Sequence, residues 1–315
     1  MSDARPVFRP AHPEDFIVEE LPAFEPSGAG GHTFVHIEKR LLSTQEAVAR
    51  LCQALGADPK AAGWAGMKDR VAVARQWISI EGVDPERARS LDGIDGVRVL
   101  GAACHPRRLK TGQLHGNRFL VRLRGLGGIE AAFSDVVGEG IPNRFGPQRF
   151  AGDNVARGRA LVLGTGPTPR DRVERRLLVS AVQAAVFNDY LDARPGPLEG
   201  EPLRRGRPTG PVPGYRMPRP PEGSEARALE DQALSRVGVT IEDFRRVRRL
   251  GRGTRRPLRI DVSEASCQVE GDATVLRFSL GAGCYATEVI AEVLARVGAP
   301  GTSPGGTAVT TPTTT

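Results

Sequence analysis

The chain has 315 residues, 39% hydrophobic and 26% charged, enough to bury one large core or two smaller ones and ordinary for a globular protein. No stretch approaches the roughly 18 consecutive apolar residues of a membrane span, and Met1 to Pro13 carries charge and proline in place of an apolar leader. The net charge of +7 fits a polyanionic partner, nucleic acid first, and only four of the 44 basic side chains are lysine (Lys39, Lys60, Lys68, Lys110), the rest being arginine, which forks onto phosphates and stacks on bases.

His32 to Glu38 alternates with the period of two of a half-buried strand. Ser43-Thr44-Gln45-Glu46 is a capping box, and Ala47, Val48, Leu51, Cys52 and Leu55 then mark one helical face that Gly56 ends. Gln76 to Glu81, Val97 to Ala103 and Asn117 to Arg124 read as strands, the last with Phe119, Val121 and Leu123 on one side and Arg118, Arg122 and Arg124 on the other. Ile129 to Val137 reads as a helix stopped by Gly138 and Gly140. From about Asp153 helical patterns take over, at Asn154 to Leu163, Arg172 to Arg194, Glu225 to Val237 and Ile241 to Leu250. Between them, Pro195 to Gly223 is rich in Pro, Gly and Arg and reads as loop. Strand character returns at Pro257 to Val262 and Ala273 to Leu280, and a final helix is expected at Ala286 to Val297. Thr302 to Thr315 lacks the apolar content of a packed segment and is expected to be a disordered tail. A mostly helical block between two β-rich blocks predicts an α+β protein: a discontinuous outer domain, residues 1–152 and 255–301, holding an inserted domain, 153–254.

Four cysteines (Cys52, Cys104, Cys267, Cys284) stand far apart with no Cys-x-x-Cys spacing, which predicts reduced thiols in a cytoplasmic protein. His32 and His36 share one side of a strand without a third ligand in view, so no metal is expected. Gly281-Ala282-Gly283 lacks the Gly-Lys-Ser/Thr of a phosphate loop and the third glycine of a dinucleotide fingerprint, which excludes a nucleotide cofactor of those types.

The chemistry concentrates in Gly63-Trp64-Ala65-Gly66-Met67-Lys68-Asp69-Arg70. It sets Asp69 between Lys68 and Arg70, and nearby positive charge favours an ionised carboxylate, able to act as nucleophile or base. By itself such a run is a solvated turn. Four other segments accompany it. Pro13 to Glu20 sets Phe16 amid carboxylates, and His115 to Phe119 opens a strand in which Phe119 alone would be core. Gly140 to Phe150 is a Pro- and Gly-braced loop whose Asn143, Gln148 and Arg149 can bond phosphates, sugars or base edges, with Phe150 to stack on bases. Leu280 to Thr287 brings Tyr285 to a helix start.

In order and spacing these segments resemble the TruD family of tRNA pseudouridine synthases. The matching pieces are Glu14-Asp15-Phe16-x-Val18-x-Glu20, Ala65-Gly66-x-Lys68-Asp69, Gly116-Asn117-x-Phe119 and Pro142-Asn143-x-Phe145-Gly146-x-Gln148-Arg149-Phe150. Ser180-Ala181 with Phe187-Asn188 follows, then Gly283-Cys284-Tyr285-Ala286-Thr287, so the resemblance spans roughly residues 8 to 300. Arg144 stands where the family usually has a ring, Tyr285 where Phe is common, and Pro10 beside Arg9 where a Lys is frequent. The resemblance implies a pseudouridine synthase catalytic domain, with a mixed, largely antiparallel sheet and helices, interrupted by a mainly helical α/β TRUD insertion domain. It implies isomerisation of a uridine in tRNA, at position 13, by a monomer that needs no cofactor or metal and no membrane. Asp69 would be the catalytic carboxylate, and Arg70 or Arg149 its cationic partner. Phe119 would stack on the base, Asn117 would hold Asp69 or the base, and Phe16 and Tyr285 would wall the pocket. Lys68, Asn143, Gln148 and Phe150 complete the expected substrate-binding set. An RNA-binding protein of the same fold without catalysis accounts for the charge and the rings, but leaves Asp69, Asn117 and Phe119 together unexplained. A hydrolase built on Asp15, Glu19 or Asp69 lacks a paired acid–base spacing.

Overall fold

The computed structural model describes residues 7–298 and 308–310, with the side chains of Val7, Pro147, Gln148 and 308–310 outside that description. Up to Ile141 the chain forms strands β1 (Val7–Arg9), β2 (Phe16–Pro22), β3 (His32–Arg40), β4 (Gly63–Trp64), β5 (Val73–Glu81), β6 (Val97–His105) and β7 (Leu114–Arg124), with helices α1 (Thr44–Leu55), α2 (Pro85–Arg89) and α3 (Glu130–Glu139). β8 (Ile141–Pro142) leads to α4 (Asn154–Leu163), α5 (Arg172–Ala193), β9 (Leu203–Arg204), β10 (Arg207–Val212), α6 (Glu225–Val237), β11 (Thr254–Pro257) and β12 (Arg259–Ile260). The chain then adds β13 (Ser263–Glu270), β14 (Ala273–Gly281), α7 (Ala286–Val297) and β15 (Ala308–Thr310). β15 pairs with β1, and the remainder of the expected Thr-rich tail lies outside the described residues.

Two compact units result: the chain up to Ile141 together with the chain from Asp261, and Pro142–Ile260. The first is built on a mixed sheet in the order β13-β14-β7-β2-β5-β3-β6, with β4 beside β5. Its pairs are antiparallel except β2 with β5. The capping box forms as read, Ser43 Oγ accepting from Glu46 N and Glu46 Oε2 from Ser43 N, and Gly56 closes α1 in the left-handed conformation. The apolar face of α1 packs on Val35, Ile37, Ile78 and Ile80 of the sheet. At the β7–β14 half, Phe133 of α3 meets Phe278 of β14 with ring centroids 6.1 Å apart.

The second unit is organised by α5, whose Leu178, Val182, Val186 and Phe187 are buried against residues of α4 and α6 and against Phe244. Three expectations change here and at the border. The reading of 195–223 as loop misses β9 and β10, because Pro208 and Pro211 mask a strand that still pairs with β11. The helix expected over Ile241–Leu250 is a short 3-10 turn over Glu242–Arg245 followed by further tight turns, with Phe244 N bonded to Ile241 O, Val247 N to Phe244 O and Leu250 N to Val247 O. Arg245, Arg246, Arg248 and Arg249 would repel one another at helical spacings, which disfavours the regular helix. β13 was also missed, since most of its residues are exposed and it forms the polar edge of the sheet.

Candidate active site

Strand register creates a polar row on an otherwise apolar face. Glu20 of β2 stands opposite Asn117 of β7, and Gln76 of β5 lies opposite Ile37 of β3. Lys68 reaches into this row: its Nζ is 2.7 Å from Glu20 Oε2 and donates to Asn117 Oδ1 at 2.7 Å. The two charged side chains are only 3% and 1% exposed, a burial that is tolerable because each charge meets the other. From above, Thr44 in the first turn of α1 donates to Gln76 Oε1 (3.0 Å) and accepts from Lys68 N (2.9 Å). Lys68 is thereby fixed at both main chain and ammonium.

This anchoring turns the next residue outward. Asp69 is exposed, and its carboxylate accepts no hydrogen bond from the described residues. Its main-chain carbonyl is held by Lys39 Nζ at 2.6 Å, and the same ammonium binds Leu42 O at 2.6 Å. Lys39 is fully buried; burial pushes its pKa down to about 8, against the pull of Asp69's charge and with the push of Lys68's. Arg70 is exposed and pairs with Glu46 Oε1 at 3.1 Å. The expected picture of an aspartate between two flanking cations is therefore corrected. Lys68 faces the interior, Arg70 is engaged by the capping glutamate, and the ammonium that fixes Asp69 comes from Lys39. Sequence reading missed Lys39, although it falls in phase with the inward residues Val35 and Ile37.

The motif glycines divide in the same way. A Cβ at Gly63 would lie 2.3 Å from Leu109 O, and one at Gly116 would lie 2.0 Å from Leu280 O, so backbone approach requires glycine at both. At Gly66 a Cβ meets only ordinary contacts.

Phe119 and Phe16 are each 4% exposed and lie nearly parallel with centroids 6.1 Å apart. Phe278 flanks Phe119 from β14 at 5.5 Å. With rings on both sides, Phe119 is placed as core and not as a platform open to a base, and Phe16 likewise packs internally against Phe8. Tyr285, by contrast, is 66% exposed at the start of α7, in a loop tied to the Asn117 end of β7 by Ala282 N to His115 O, 3.0 Å. Asn117 does not bond Asp69; it accepts from Lys68, and its amide N–H groups donate to no described residue.

In the second unit, the Pro142–Phe150 loop that sequence reading gave to the outer domain is fastened to its own surroundings. Asn143 is buried, donating from N to Leu258 O and from Nδ2 to Pro257 O, each 2.9 Å, while its two oxygens accept from Arg256. It is an internal clasp, which corrects its assignment to substrate binding. Phe145 N donates to Asn188 Oδ1 (2.9 Å) and Asn188 Nδ2 returns to Phe145 O (3.0 Å). Arg256 lies 4.2 Å from the Phe145 ring centroid. Arg149 donates to Ser180 Oγ at 3.0 Å and retains most of its guanidinium donors. Phe150 is half-buried, and the Gln148 side chain lies outside the described residues. Among the described residues no group of three His, Cys, Asp or Glu is placed to hold a metal ion, and no helix is long and apolar enough to cross a membrane.

Comparison with known proteins adds the following. Residues 9–163 and 201–293 match the family described as tRNA pseudouridine synthase D (TruD). The tRNA pseudouridine synthase D of an Anaeromyxobacter species (strain Fw109-5) is 37% identical over 321 residues, 90% of each chain. That of Thermus thermophilus is 34% identical over 316 residues, 90% of this chain and 87% of its own. The crystal structure of a putative tRNA pseudouridine synthase D from Methanosarcina mazei shares the fold with a TM-score of 0.74 at 20% identity, over 93% of this chain and 95% of that one.

Proposed function

This chain belongs to the tRNA pseudouridine synthase D (TruD) family, and we propose that it converts a uridine of tRNA, at position 13, to pseudouridine with Asp69 as the reacting carboxylate. The observation that carries this reading is the presentation of Asp69: an outward carboxylate on a loop whose neighbour Lys68 is locked into a buried ion pair and whose own carbonyl is held by Lys39. A nucleophile or base must be exposed to substrate yet held in place, and this loop supplies both.

The base leaves C1′ through N1, turns, and rejoins through C5. N1 gains a hydrogen and C5 gives one to solvent, so the isomerisation balances without oxidant or energy source. Asp69 either adds to the nucleoside or takes a sugar proton. The uridine must leave its stack, at a cost of a few kcal/mol. Tyr285 is the exposed ring to receive it, Asn117 has amide donors for the base edge, and Arg149 and Phe150 contact the RNA. Phe16 and Phe119 support the strands that carry Glu20 and Asn117. Pro142–Ile260 serves as the insertion domain, and the enzyme works as a cytoplasmic monomer.

The test is tritium release from a tRNA transcript made with 5-tritiated uridine. Wild-type protein should release tritium, and Asp69→Asn should lower release by more than about 1,000-fold, as for loss of a covalent or basic group, while binding tRNA normally. Full release by Asp69→Asn would remove the carboxylate from the mechanism. Binding without release by the wild type would favour an RNA-binding protein.

A further inference from the structure

In the second unit several arginines are matched with acids. Arg157 pairs with Glu174, Arg194 with Glu201, Arg236 with Asp189, and Arg219 and Arg255 share Glu230. Five others are not. Arg172 and Arg175, from the first turn of α5, and Arg246, Arg248 and Arg249, from the turns after Phe244, line one concavity of about 470 Å³ floored by Val247 and Leu250. None of the five has an acidic partner within ion-pair distance among the described residues. The nearby carboxylates are engaged elsewhere: Asp171 caps α5, Glu174 holds Arg157, and Asp243 accepts from Thr240. The Nε of Arg175 is buried with no hydrogen-bond partner.

Like charges gathered without counter-charge repel, and a buried guanidinium donor without an acceptor is costly. The repulsion is relieved by an anion with several acceptor oxygens. We infer that this concavity is a binding site for the phosphodiester backbone of RNA. Arginine rather than lysine throughout suits forked bonds to phosphate. No aromatic side chain lines the concavity, so it grips backbone and does not read bases. Five guanidiniums on a hollow of this size exceed what one phosphate can satisfy, which favours a run of phosphates. The family match runs over residues 9–163 and 201–293 and does not include Arg172 or Arg175. The inference rests on the proposed function only in taking the RNA to be tRNA.

The experiment measures the affinity of full-length protein for an unmodified tRNA transcript across a series of KCl concentrations, with tritium release followed in parallel. Replacing Arg172, Arg175, Arg248 and Arg249 by Ala should weaken binding by at least about 10-fold at 0.1 M salt and flatten the logarithmic salt dependence by about two to four units, as expected for lost phosphate contacts. The milder Arg248→Gln/Arg249→Gln variant, altering two exposed side chains, should flatten it by about one to two. The corresponding Lys replacements should restore most of the slope. Release at saturating tRNA should be unchanged, with KM raised. Unchanged affinity and slope in both variants would overturn the site while leaving the enzymatic reading intact. A flattened slope with no release by the wild type would uphold the site and refute the enzymatic reading. Inorganic phosphate bound by the wild type and lost in the variants, with tRNA binding unaffected, would overturn the RNA assignment in favour of a small anion.

Discussion

Lys39 and Lys68 in the first unit and the five arginines around Val247 in the second treat positive charge in opposite ways. The lysines are buried, each ammonium fixed by two oxygens within 2.7 Å. The arginines gather at a hollow without acidic partners. A cation that positions must be satisfied by the protein itself, because any residual freedom would pass to the group it holds. A cation that attracts must be left unsatisfied, because a partner already present would compete with the ligand. The cation types fit this division: a compact ammonium can be enclosed by three or four oxygens, whereas a planar fork suits a phosphate arriving from outside.

The sharpest way to break the comparison is to remove one side of the buried pair. Lys68→Met leaves the buried Glu20 carboxylate without its cation and should lower stability by about 3–5 kcal/mol in urea unfolding, and tritium release should fall with it. A loss under about 1 kcal/mol would mean that Lys68 positions nothing. Next in size is the pH response of Lys39. Its pKa in the folded chain, about 8, lies below the ordinary 10.5, so between these values the unfolded chain holds the extra proton and stability should rise with pH. Wild type should therefore gain on Lys39→Met by up to about 3 kcal/mol between pH 7.5 and 10; parallel stability curves would show that no buried charge is being relieved. The smallest effect is expected in the second unit, where Asn143→Ala removes the clasp on Arg256 and Pro257 and should cost about 1–3 kcal/mol. Because Asn143 is internal, tRNA affinity measured well below the melting point should remain within about twofold. A large affinity loss would restore the substrate contact that its burial argues against.

What the sequence made legible follows the range of the interactions involved. The capping box at Ser43 and Glu46 and the bounds of α4, α6 and α7 depend on residues within a turn or two of one another, and they form as read. The order of the family segments pointed to the Asp69 loop, but its geometry depends on partners far along the chain. Lys39 binds a carbonyl 30 residues away and Lys68 an amide 49 away. Phe119 and Asn117 share one side of β7, yet one is enclosed by rings and the other meets an ammonium, a difference set by β2 and β14 and invisible in β7 itself. Asn143 reads as a ligand-binding amide until β11 is in place to consume it.

The first turn of α1 ties these observations together. Thr44 bonds both the sheet and the main chain of the Asp69 loop, Glu46 closes the cap and holds Arg70, and Lys39 spans from the loop to Leu42 just before the helix. An irregular segment fastened at so many points to the start of a helix cannot open alone. Loop and helix are expected to form one cooperative unit of local unfolding, so the amide of Lys68, although it belongs to no helix or strand, should exchange its hydrogen as slowly as those inside α1, and fraying of that helix should release the Asp69 loop before the sheet begins to melt.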